Sequence, residues 1–261
     1  MVDESAGAGA TGSDGVPGAA GSGSGRTTLR VLGYNVKSLQ ADAAAVRDVI
    51  RETDPDVVAV QEPCRYLTGG RRRMRALAAA TGTVCVVPGG SPFGAYTTAL
   101  LVARRHADAV VRRRGRPLSW RWWRRRDLRA WPTRRGSALV DLGDVVVVSV
   151  HLGLDARERL EHCAEVTRLV EEAGAGRCVV AGDLNEEPGG PAWQALGSVL
   201  RDAVPEAPGL TFPAPRPVRR LDGVLVGAGF EVLSSTVVRS PAALRGSDHL
   251  PVLVELAPLE R

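Results

Sequence analysis

The chain has 261 residues, 44% of them hydrophobic, with a formal net charge of +5 and four cysteines. That length and apolar share exclude a wholly disordered protein, and no apolar run nears the ~18 residues a membrane span requires. The basic balance favours polyanionic partners, whether nucleic acid, an anionic membrane surface or phosphorylated small molecules, without choosing among them.

Residues 1–25 are almost all Gly, Ala and Ser. They carry Asp3, Glu4 and Asp14 but no basic residue, so +8 falls on residues 26–261. Such a segment cannot bury enough apolar surface to offset its ordering entropy and is predicted to be a flexible tail. It has neither the basic nor the apolar region of a secretory leader, so the expected compartment is the cytoplasm. Lys37 is the only lysine; the arginine-heavy Ala/Gly/Arg/Val vocabulary is that of a GC-rich genome.

From Leu29 onward short apolar runs alternate with helical patterns. Strands are expected over Leu29–Tyr34, Val57–Gln61, Val84–Val87, Ala99–Val102, Ala138–Leu142, Val145–Val150, Cys178–Ala181, Val224–Val226 and Val252–Leu256. Helices are expected over Asp42–Arg51, Arg72–Ala80, Asp155–Glu172 and Pro191–Leu200. In the third helix Leu160, Cys163, Val166, Leu169 and Val170 recur at three- and four-residue steps, and Gly174 ends it. The run Val145–Val150 does not alternate, which marks a strand covered on both faces. A layered α/β architecture follows, as one domain over residues 26–261. Cys64, Cys85, Cys163 and Cys178 form no Cys-x-x-Cys pair and have no histidine at zinc-finger spacing, so they read as thiols, not as a disulfide framework.

Polar residues stand where strands leave the core. Asn35 follows the first run, Glu62 the second, His151 the Val145–Val150 run, and Asp183 and Asn185 follow Cys178–Gly182. Asp222 opens one strand, while Asp248 and His249 precede the last. Singly, each reads as a turn or structural residue. Together they form the kind of site that rigid strand ends build in α/β sheets. Oxygen and amide donors without thiolates suit Mg²⁺ or Mn²⁺. A divalent cation, polarised histidines and a basic surface describe hydrolysis at phosphorus.

At these residues the chain resembles the endonuclease/exonuclease/phosphatase family of deoxyribonuclease-I-like phosphoesterases. The matching segments, in order, are Gly33-Tyr-Asn-Val36, Asp56-Val-Val-Ala-Val-Gln-Glu62, Ser149-Val-His-Leu152, Gly182-Asp-Leu-Asn185, Thr211-Phe-Pro213, Arg220-Leu-Asp222 and Ser247-Asp-His-Leu-Pro251. The resemblance implies a four-layer α/β/β/α sandwich, two packed mixed sheets flanked by helices, with the site on one rim. It implies Glu62 as principal metal ligand with Asn35 and Asp248 beside it. It makes Asp183 the residue that orients or deprotonates water and Asn185 a donor to phosphate or the metal shell. His249 becomes the catalytic imidazole, Asp222 its carboxylate partner, and His151 the second histidine. Lys37 departs from the apurinic-endonuclease branch, which has an acid there, and is expected to face solvent. His106 and His162 match no motif and are expected at the surface.

Residues 112–135 hold eleven arginines and four tryptophans. Guanidinium groups pair with phosphate, and indoles stack on bases or rest at lipid interfaces, so Arg124, Arg125, Arg126, Trp122 and Trp123 are candidate substrate contacts. The plainer alternative is a solvated arginine-rich loop whose tryptophans cover the sandwich edge. The expected activity is metal-dependent phosphoester hydrolysis of phosphodiesterase or nuclease type. A phosphatase or phosphodiesterase for inositol phosphates, phospholipids or other small molecules is the alternative, and an inactive binding protein of the same fold the third. No protein partner is evident.

Overall fold

The computed structural model describes residues 28–64, 69–90, 96–120, 134–204 and 209–259. The tail over residues 1–25 and the candidates Trp122, Trp123, Arg124, Arg125 and Arg126 lie outside the described residues. All nine expected strands and all four expected helices form, with ends shifted by at most three residues. β1 (Leu29–Asn35), α1 (Ala43–Thr53), β2 (Val57–Gln61), α2 (Gly70–Ala80), β3 (Thr83–Val87) and β4 (Thr98–Ala103) come first. β5 (Arg112–Pro117), β6 (Gly136–Asp141), β7 (Val146–His151), α3 (Ala156–Ala173), β8 (Cys178–Asp183) and α4 (Pro191–Gly197) follow. β9 (Arg201–Asp202), β10 (Asp222–Val226), β11 (Phe230–Val237), α5 (Pro241–Gly246) and β12 (Val252–Pro258) complete the order.

Two mixed sheets of six strands result, in the orders β11-β12-β1-β2-β4-β3 and β5-β6-β7-β8-β10-β9. Each has one parallel pair, β1 with β2 and β7 with β8, and each of these pairs is joined through a helix. The valine-rich strands are buried on both faces because the sheets stack on each other and helices cover the outside. Val31, Ala59 and Leu100 of one sheet meet Ala138, Val147 and Val224 of the other. α1 and α2 bury Val46, Ile50 and Met74 on the first sheet, and α3 and α4 bury Cys163, Val166 and Leu196 on the second. This is the four-layer sandwich the resemblance implies. Asp42 starts α1 by accepting from the amides of Ala44 and Ala45, and Asp155 starts α3 in the same way from Arg157 and Glu158.

Two features tie the sheets together near the rim. Gln61 Nε2 donates across the sandwich to Ser149 Oγ at 3.0 Å, and that hydroxyl donates on to the Val60 carbonyl at 3.2 Å. Gly182 sits against β7 so closely that a Cβ there would lie 1.9 Å from the Val150 oxygen.

The sequence pattern misses β5, β9, β11 and α5. β5 and β11 are edge strands with few buried side chains, so neither shows the apolar run that reveals a covered strand. His162 corrects a surface expectation. It is fully buried, accepts from the Gly153 amide at Nδ1 and bonds the Ser119 carbonyl through Nε2 at 2.8 Å. His106 is half-buried and lies 2.7 Å from Asp56. None of the four cysteines forms a disulfide; Cys85 is half-buried and the others are buried. No helix among the described residues is long and apolar enough to cross a membrane.

Candidate active site

β1, β2, β7 and β8 end on one rim, and β10 begins there. The parallel register sets Asn35 beside Gln61 and His151 beside Asp183, while the antiparallel register sets Asp222 beside Asp183. Asp183 and Asp222 thereby meet, and the segment before β12 of the other sheet brings His249 to them. Asp183, Asp222 and His249 offer ligand atoms within 4.8 Å of one another, all buried.

The chemistry of that trio follows from burial. Asp183 is 2% exposed; loss of solvent and the nearby Asp222 carboxylate push its pKa from 3.8 up to about 6. The His249 cation, the Asn185 amide and Arg135 oppose that rise. His249 moves the other way for a base. Burial alone would depress it, but the Asp222 carboxylate, hydrogen-bonded to Nδ1 at 2.8 Å, carries it from 6.5 up to about 9. Its Nε2 then points at Asp183 Oδ2, 3.8 Å away, and the Phe212 ring packs against it at 4.8 Å. Near neutral pH the arrangement holds an ionised Asp183 facing an imidazolium.

His151 is the contrasting histidine. Burial first, and the Arg135 charge second, hold its pKa well below 6.5, so it is neutral. Arg135 Nη1 lies 2.7 Å from Nε2, and Asp183 Oδ2 lies 3.4 Å from the same nitrogen. Asn35 reaches from the other sheet to donate to Asp183 Oδ2 at 3.1 Å, while its own oxygen accepts from the Lys37 amide. Asn185, in a left-handed conformation (φ 52°), donates from Nδ2 to the Leu152 carbonyl, so its amide is fixed beside the trio.

Glu62 stands at the mouth with φ 50°, held by its backbone to Thr97 and Ser38. Its side chain is 39% exposed, with His151 Nε2 4.0 Å from Oε1. Asp248 pairs with Lys37 Nζ at 2.8 Å, so Lys37 is not directed simply to solvent as expected. The left-handed turn through Lys37, Ser38 and Leu39 (φ 44°, 58° and 57°) carries the ammonium to that position. Arg135 and the Lys37 pairing are the site features the sequence reading missed. Arg135 immediately precedes β6 on the active rim, a strand-end position like the others, but it stands in an arginine-rich stretch that hides it.

The donor set fits a hard divalent cation: carboxylate and amide oxygens without sulfur. Two observations support that fit. The Glu62 carboxylate is 39% exposed at the mouth, and the buried Asp222 Oδ1 has no hydrogen-bond partner among the described residues.

The fold recurs in solved structures of low sequence identity. An endonuclease/exonuclease/phosphatase family protein from Bacteroides thetaiotaomicron is 21% identical, with TM-score 0.72, covering 90% of this chain and 99% of that one. A mannosyl-6-phosphatase from the same species is 20% identical, with TM-score 0.68, covering 88% and 99%. The human Nocturnin catalytic domain, with a bound sulfate anion, is 16% identical, with TM-score 0.67, covering 90% and 96%. Comparison with curated protein sequences gives no match. The model of the endonuclease/exonuclease/phosphatase family matches residues 32–249, from β1 to the rim histidine His249, and the chain belongs to that family.

Proposed function

We propose that the protein is a divalent-metal-dependent phosphoesterase that hydrolyses P–O bonds by in-line attack of water, of phosphodiesterase or nuclease type. The observation that carries this reading is the pairing of opposed environments on one rim: a buried carboxylate titrating near 6 and, 3.8 Å away, an imidazolium titrating near 9. Such a pair separates a base from an acid at neutral pH. Asp183 accepts the proton of the attacking water, held in position by Asn35 and by the Asn185 amide at its two oxygens. His249, fixed by Asp222, presents a positive N–H to the phosphoryl oxygens as their charge grows. His151 stays neutral, and Asn185, whose Nδ2 already donates to the Leu152 carbonyl, gives its second N–H to the phosphate.

Mg²⁺ or Mn²⁺, held by Glu62 with Asn35 and Asp248 nearby, would neutralise non-bridging oxygens when bound. A phosphomonoester is the second reading, favoured by the likeness in fold to the mannosyl-6-phosphatase. An inactive binding protein is disfavoured, because burying Asp183 at a raised pKa is a destabilising arrangement that binding alone does not require.

The test is hydrolysis of bis(p-nitrophenyl) phosphate and nicking of supercoiled plasmid in Mn²⁺ or Mg²⁺. Both should stop in EDTA and in Asp183→Ala. Glu62→Gln should weaken Mn²⁺ binding, read by equilibrium dialysis, by at least about ten-fold. Full activity of Asp183→Ala would refute the assignment.

A further inference from the structure

Residues 63–140 contain eighteen arginines and two acids, Asp108 and Asp127; the rest of the chain sets sixteen basic residues against twenty-seven acids. A genomic bias toward arginine would scatter it through the chain. It would not also strip the acids from one stretch.

The fold gathers described parts of that stretch at one edge of the sandwich, where β3 and β5 terminate the two sheets. α2 contributes exposed Arg71, Arg72 and Arg75, and β5 contributes exposed Arg112, Arg113, Arg114 and Arg116. The two sets are neighbours: Arg75, Arg71 and Arg113 all act on the Cys85 thiol of β3, opposing the rise to about 11 that burial causes. None of the four β5 arginines forms an ion pair among the described residues. Arg112 stands across from Asp141, whose carboxylate is already held by Arg177 at 2.8 Å.

The strand register orders these charges. Ala138 and Val140 of β6 face the other sheet, while Leu139 faces the α3 side. Arg114 lies opposite Leu139, so Arg112, Arg114 and Arg116 share that outer face in a single row. Alternate residues of a strand repeat every ~6.6–6.8 Å, which gives a regular ladder of guanidinium groups on an edge with no partner strand among the described residues. The row runs toward the rim. Arg116 pairs with Ser137, and one step further Leu118 donates to the carbonyl of Arg135, whose side chain touches His151. At that same end Arg134 lies over the Tyr96 ring at 5.0 Å and the half-buried Trp120 ring at 6.0 Å.

We infer that this edge binds single-stranded nucleic acid and leads it to the hydrolytic rim, with successive phosphates along Arg112, Arg114 and Arg116 and a base stacked at Trp120. Guanidinium forks hold phosphates bidentately, and stacking on an indole is indifferent to sequence. An anionic membrane fits less well. Among the large exposed apolar side chains of the described residues, Val111 is the one that adjoins the row. The inference deepens the phosphoesterase reading by naming a polymeric substrate, and its test separates the two.

The full chain is titrated against fluorescein-labelled oligothymidylate in EDTA, by anisotropy, from 50 to 300 mM salt. Replacing Arg112, Arg114 and Arg116 together by Ser should weaken binding at 100 mM salt at least about ten-fold and lower the salt slope by about 2, near 0.7 per lost phosphate contact. Arg114→Ser alone should take about a third of that slope. A control with exposed Arg157, Arg168 and Arg239 changed to Ser should bind as wild type. Hydrolysis of bis(p-nitrophenyl) phosphate should be unchanged in the row variant.

Equal affinity and slope in the row variant and wild type would overturn the inference. So would wild-type binding to phosphatidylserine vesicles without binding to the oligonucleotide. If the row effect holds but wild type hydrolyses no phosphoester, the edge assignment stands and the reading of the rim fails.

Discussion

Asp183→Asn should make the protein more stable while ending its activity. Asp183 is buried, and its ionisation is opposed in the fold, where its pKa is about 6 against 3.8 in the open chain. A folded value above the unfolded one means the penalty is absent below about pH 3.8, grows from there to about pH 6, and is constant above. The gap corresponds to ~3 kcal/mol at neutral pH. Asparagine escapes that penalty but must face Asn35 Nδ2, so one amide has to turn, at a cost of about 1 kcal/mol. The expected net gain is ~2 kcal/mol at pH 7.5, or roughly 4–8 °C for a domain of this size. Melting curves of both proteins in EDTA, from pH 4.5 to 8, measure it without any contribution from bound cation. The gain should shrink toward zero at pH 4.5. A variant no more stable than wild type at pH 7.5, or one whose gain does not change with pH, would refute the reasoning.

Asp222→Asn removes the largest of the charges that lift His249, leaving burial opposed only by Asp183 and Asp248, so the imidazole should fall from about 9 toward its ordinary 6.5. The alkaline limb of the pH–rate profile should move down with it, and turnover at pH 8 should drop on the order of 10²-fold. In wild type this raised histidine contributes stability below pH 6.5 that is lost as pH rises through about 9; melts of Asp222→Asn should lack that loss. Gly182→Ala drives a methyl group to within 1.9 Å of the Val150 oxygen and should cost at least ~3 kcal/mol in urea unfolding. Gly197→Ala, with open space around it, is the matching control and should be near neutral.

The covered strands were legible because Val57–Gln61, Val146–His151 and Cys178–Asp183 are buried throughout, and a strand enclosed on both sides must be apolar along its length. β5 was illegible for the opposite reason. Its pairing is dictated by β6, and its own side chains answer to solvent. The convergence of Asp183, Asp222 and His249 could be anticipated from strand ends, since register carries such positions to one rim. The contact between Lys37 and Asp248 could not, because it depends on a left-handed turn of three non-glycine residues that local spacing does not reveal. His162 did carry a signal: with Val166 and Leu169 it lies at four- and three-residue steps on the buried stripe of α3, although the charged Glu161 beside it favoured a surface reading.

The hydrogen bond from Gln61 to Ser149 has a consequence for how the cleft is gauged. An apolar interface between two sheets tolerates sliding, because one valine against another is much like the next. A polar pair near its rim admits one alignment, since a shift of a single residue would break the bonds that join Gln61 to Ser149 and Ser149 to the Val60 carbonyl. Gln61 immediately precedes Glu62, and Ser149 is two residues before His151, so the pair acts as an index mark between the two halves of the rim. It fixes how far the carboxylate at the mouth stands from the imidazole behind it. Activity should therefore vanish when the sheets lose that alignment, even while each sheet keeps its own strands paired.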